Sequence, residues 1–163
     1  MTLTTGTGEV ATGDFVASTA DSINGASGNI RMRSGSSETG STGSVLIGSG
    51  SSVKSFAGDV TVSSGRSGEG RGSGVSVEAG SAGGKSGDGG SVTVSGGSSA
   101  AGVGGSVSIN SGSSDALSSG IISVKSALSA QNSGDIEMAS GASSSGVSGQ
   151  VNISSGDGVN GAG

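Results

Sequence analysis

The sequence predicts an all-β chain, a parallel β-solenoid of about eleven coils of 14–17 residues, thin and flattened in cross-section and without obvious caps. Three observations predict it. First, a phrase of the form apolar-x-apolar, small polar residue, glycine recurs along the chain. Its first apolar position falls at Met1, Phe15, Ile30, Val45, Val60, Val75, Val92, Val107, Ile122, Ile136 and Val151, in steps of 14, 15, 15, 15, 15, 17, 15, 15, 14 and 15 residues. A unit this short cannot bury its own apolar face and must stack on its neighbours. Second, the apolar residues are paired at a spacing of two, as in Ile30/Met32, Val45/Ile47, Val60/Val62, Val92/Val94 and Val107/Ile109, which places both on one face of a strand. Third, glycine interrupts every potential helical turn, and there is no proline to remove an amide from a ladder.

Two glycine columns punctuate each period. One lies two residues before the first apolar residue, at Gly13, Gly28, Gly43, Gly58, Gly90, Gly105, Gly120, Gly134 and Gly149, with Ser73 the exception. The other lies three after the second, at Gly6, Gly35, Gly50, Gly65, Gly80, Gly97, Gly112, Gly141 and Gly156, with Ala20 and Ala127 substituting. Recurrent glycine at strand ends predicts corners that need positive φ or close backbone approach. A small polar column (Thr5, Thr19, Ser34, Ser49, Ser64, Ser111, Ser126, Ser140, Ser155) precedes the second glycine, and another (Ser22, Ser37, Ser52, Ser67, Ala82, Ser99, Ser114, Ser129, Ser143) follows it by two. Both are expected to line a thin interior, their hydroxyls bonded along the stack or to the backbone. Length variation is confined to the limb after the second glycine. The 17-residue period holds its extra residues within Ser81–Gly89, expected to be a loop.

Composition argues against an ordinary globule. Of 163 residues 37 are glycine, 29% are hydrophobic, and Phe15 and Phe56 are the aromatic residues. Globular domains carry roughly 45–50% apolar residues, glycine included. Such a bias suits a flexible linker or a disordered tract, but those have no reason to keep Val or Ile in register. The whole span 1–163 therefore reads as a single repeat domain.

The charge of −5 comes from 12 acidic and 7 basic residues with no run of either sign. A nucleic-acid groove needs clustered Lys and Arg, so no such partner is expected. No stretch approaches the roughly 20 apolar residues of a membrane span. With no cysteine, neither a disulfide framework nor thiolate chemistry is available. The residues from Met1 to Gly6 lack the basic start and apolar run of a signal peptide.

No catalytic, cofactor-binding or metal site is expected, and no enzyme activity. Histidine, cysteine, tyrosine and tryptophan are absent, which removes the usual bases, thiolates and most metal ligands. The adjacent pairs Lys54-Ser55 and Lys85-Ser86 formally allow Ser-Lys chemistry, but so serine-rich a chain produces such pairs by chance. Gly84-Lys85-Ser86 matches the end of a phosphate-binding loop; the motif needs glycine where Ala79 stands, and a helix must follow. A calcium ladder is not expected either, since the column before the apolar pair is acidic only at Asp14, Asp59 and Asp135. Asn152-Ile153-Ser154 is a glycosylation sequon, relevant only to a secreted chain.

The column between the paired apolar residues contains Thr61, Ser76, Thr93, Ser108 and Ser123, a candidate face for ice or another partner. It resembles the flat threonine ranks of antifreeze proteins, although Arg31, Leu46 and Glu137 interrupt it. Leu46, Val53, Phe56, Leu117 and Leu128 are candidates for lateral apolar contacts. The phrase begins at Met1 and continues toward Gly163 without an amphipathic helix or charged cap, which predicts head-to-tail joining or a longer array. The candidate assembly ends are Met1, Leu3, Val151 and Ile153.

The phrase Gly90-Ser91-Val92-Thr93-Val94, continuing through Gly97-Ser98-Ser99 to Gly105-Ser106-Val107, resembles Gly/Ser-rich extracellular β-solenoid repeats. Such repeats occur in large secreted proteins of diatoms and oomycetes and in phage tail-fibre-like proteins. The resemblance implies an extracellular or cell- or virion-surface location and a structural or adhesive role, with no catalytic residues to carry over. The expected function is a fibre or appendage built from copies of the chain, with ice binding the alternative.

Overall fold

The computed structural model describes residues 2–84 and 87–158. The chain divides into two units, Met1–Ser76 and Val77–Gly163. Among the described residues there is no helix and no strand, which overturns the expected β-solenoid and its flattened coils. A stacked coil must bond each residue to the coil above or below, about one period away along the chain. The backbone bonds found are of a different kind. Gly90 N–H donates to Gly80 O at 2.8 Å, Gly105 N–H to Gly97 O at 2.8 Å, and Gly120 N–H to Gly112 O at 2.9 Å. Each closes a loop inside one period and none joins one period to the next.

Burial gives the physical reason. Every described residue is exposed except Ser34, which is half-buried, and none belongs to a core. The chain leaves 16334 Å² of surface accessible. A compact protein of its mass would leave about 7,000 Å² and its extended chain about 21,000 Å². One pair of mid-sized apolar side chains per period contributes little against the entropy of fixing some fifteen residues. The glycines between them raise that entropy further.

A regular local structure survives without the ladder. The periods alternate a loop with a short segment carrying the apolar pair, and in five of them a hydrogen bond closes the neck of the loop. In Met1–Ser76 two necks are closed through hydroxyls: Thr19 Oγ1 donates to Gly28 O at 3.3 Å and Ser64 Oγ to Ser73 O at 3.1 Å. In Val77–Gly163 three necks are closed by the main-chain bonds from glycine to glycine. The Gly90-to-Gly80 bond flanks the stretch that holds the extra residues of the 17-residue period. Lys85 and Ser86, with the phosphate-loop and Ser-Lys readings that involve them, lie outside the described residues.

The two glycine columns have different reasons to exist. At several positions of the first, a side chain would meet the far side of the neck. A Cβ on Gly105 would lie 2.9 Å from Gly97 N, and one on Gly28 would lie 3.0 Å from Thr19 Cγ2. A Cβ on Gly96 would collide with the carbonyl oxygen of Gly105. At the second column, from Gly35 to Gly156, a Cβ would meet nothing within 4 Å. Close approach therefore explains the first column at Gly28, Gly90 and Gly105, whereas a Cβ on Gly13, Gly58 or Gly134 would meet nothing within 4 Å. Positive φ explains neither, because among the described residues it occurs only at Gly70 (φ 88°), inside a loop.

Candidate interaction surface

The serine column placed two residues beyond the second glycine does not line an interior. It brackets the loop tips. Ser22 Oγ accepts from Gly25 N–H at 3.1 Å, Ser37 Oγ from Gly40 N–H at 3.0 Å, and Ser52 Oγ from Ser55 N–H at 3.1 Å. The same bracket recurs from Ser99 to Gly102 at 2.8 Å, Ser114 to Leu117 at 2.9 Å and Ser143 to Gly146 at 2.9 Å. This is the local serine-to-backbone competition that favours turns over ladders. Ser67 uses its hydroxyl differently, donating to Glu69 O at 2.6 Å. The signal was present in sequence as Ser-x-x-Gly, at Ser22, Ser37, Ser99 and Ser143.

The apolar residues sort into tiers of exposure. The first residue of each valine or isoleucine pair lies next to a neck and is the most sheltered, from 50% exposed at Val151 to 57% at Ile30 and Val75. Alternation is retained along the segment: Val45 is 53% exposed, Leu46 94% and Ile47 71%. Apolar residues of the loops are almost bare, with Val53, Val103 and Val147 each at 97%. Phe56, Leu117 and Leu128, expected to make lateral contacts, are likewise exposed.

The expected ice or partner face is not assembled by any strand among the described residues. Thr61 and Ser76 belong to Met1–Ser76, and Thr93, Ser108 and Ser123 to Val77–Gly163; all five are exposed. Ser108 Oγ accepts a hydrogen bond from Asn110 Nδ2 at 2.8 Å. Of the expected assembly ends, Leu3, Val151 and Ile153 are exposed, and Met1 lies outside the described residues. Among the described residues no pocket opens and no group of acidic side chains could hold a metal ion. No helix there is long and apolar enough to cross a membrane.

The chain matches no protein-family model, no curated protein and no solved structure.

Proposed function

We propose that this chain is a structural repeat protein that builds a fibre or surface appendage by associating with copies of itself. One observation carries the reading: an apolar pair recurs in nearly every period, and each pair is half or more exposed. Apolar surface left exposed at a regular spacing is available to a partner that covers several pairs at once. Covering it is worth roughly 25 cal/mol for each Å² removed from water. A second copy offers the same pairs at the same spacing, so one match along the chain brings the others into register. An extracellular setting forms part of the proposal, supported by the glycine- and serine-rich style of the repeat.

Negative-stain images of the purified protein, taken from micromolar to millimolar concentration, test the reading. Filaments or bundles that lengthen with concentration are expected. Separate particles of single-chain mass throughout that range would overturn it.

A further inference from the structure

Two segments of the repeat share one frame and carry opposite charge. Residues 28–35 read Gly28-Asn29-Ile30-Arg31-Met32-Arg33-Ser34-Gly35, and residues 134–141 read Gly134-Asp135-Ile136-Glu137-Met138-Ala139-Ser140-Gly141. The apolar pair is isoleucine and methionine in these two periods and in no other. Between paired apolar residues, a charge occurs only at Arg31 and Glu137.

The structure places both segments alike relative to their loops. The Cβ of Ser34 lies 3.7 Å from where a Cβ on Gly43 would stand, and that of Ser140 lies 3.7 Å from the same point on Gly149. Leu46 shows what the middle position of a segment does, since it is far more exposed than the apolar residues beside it. Arg31 and Glu137 occupy that outward position, and both are exposed. Among the described residues, none of Arg31, Arg33, Asp135 and Glu137 makes an ion pair.

Charge is also divided between the units. Met1–Ser76 has five basic residues against six acidic, including every arginine of the chain, whereas Val77–Gly163 has two basic against six acidic. Each segment thus carries what the other lacks, on a matching apolar frame.

We infer that residues 28–35 of one copy dock against residues 134–141 of a second copy, with Arg31 and Arg33 facing Asp135 and Glu137. This inference rests on the self-assembly proposed above and names the contact that sets its register. Lying side by side, edge to edge, the two segments set their Ile/Met pairs together on one face and their charges together on the other. The pairs supply apolar cover and the charges supply selection, because a like-charged alignment of the same frame is repelled. A contact between two different patches leaves one of each unused, so it continues from copy to copy.

Mixing charge-reversed chains tests it by sedimentation. Arg31→Glu with Arg33→Glu, or Asp135→Lys with Glu137→Lys, is expected to weaken self-association by about tenfold at low salt, the scale of two exposed ion pairs turned to repulsion. The two variants mixed in equal amounts are expected to regain wild-type association, since each then offers the charge that the other needs. The control Arg66→Glu with Arg71→Glu makes the same change in net charge as the first variant and is expected to leave association unchanged. Wild-type protein that associates while the reversed variants associate equally well would overturn the docking and leave self-assembly standing. So would a mixture that regains nothing, or a control weakened as much as the test variants. Wild-type protein that does not associate at all would overturn the proposed function, and this contact with it.

Discussion

The loops make local hydrogen bonds of their own, at a neck or a tip, whereas the segments that follow leave their apolar pairs uncovered. The loop from Gly97 to Gly105 is closed by a main-chain bond of 2.8 Å and bracketed at its tip by Ser99. The segment after it carries Val107 and Ile109, 52% and 72% exposed. Hydrogen bonds can be made locally because donor and acceptor lie eight residues apart, at little cost in loop closure. Apolar burial has no such local solution when the nearest equivalent pair is fifteen residues away. The loops therefore find part of their bonding within one chain, and the segments supply the reason for a second.

The largest expected effect breaks the segments and spares the loops. Val92→Asp with Val107→Asp places two charges where apolar cover is needed. Each lost valine contributes about 1.5 kcal/mol on full burial, so the concentration needed for association should rise about a hundredfold or more. Sedimentation reads that rise, and amide exchange at Gly105 and Gly120 is expected to stay unchanged.

A smaller effect runs the other way. Gly96→Ser restores the small polar residue found at Ser64 and Ser111, yet its side chain would collide with the carbonyl of Gly105. The neck should open, and the Gly105 amide should exchange up to about tenfold faster, on the scale of one net hydrogen bond. Association should change far less than in the valine variant.

The smallest effect is expected at a loop tip. Ser99→Ala removes the acceptor for Gly102 N–H, a group already reached by water, and should speed exchange of that amide only about twofold to threefold. Equal losses at Gly102 and Gly105 would show that tip and neck open as one unit.

Sequence reasoning reached the local pattern and missed the way it is used. The register of Val45, Leu46 and Ile47 was legible, and their exposures alternate accordingly. The solenoid was not a safe conclusion, because a period of fifteen shows that each apolar pair needs a cover without showing what covers it. A coil interior would take Ser22, Ser37 and Ser99 as its lining; their Ser-x-x-Gly spacing is that of a turn bracket instead. Arg31 and Glu137 were likewise visible, but as breaks in an expected flat face. Their opposite signs gain meaning only when the two segments are compared with each other.

The contrast between locally bonded loops and uncovered segments is tested most directly by the heat capacity of association, from dilution calorimetry at several temperatures. Removing the apolar pairs from water on assembly predicts a distinctly negative heat-capacity change, much reduced in the Val92→Asp, Val107→Asp variant. Association with no heat-capacity change, or with the same change in both proteins, would contradict it.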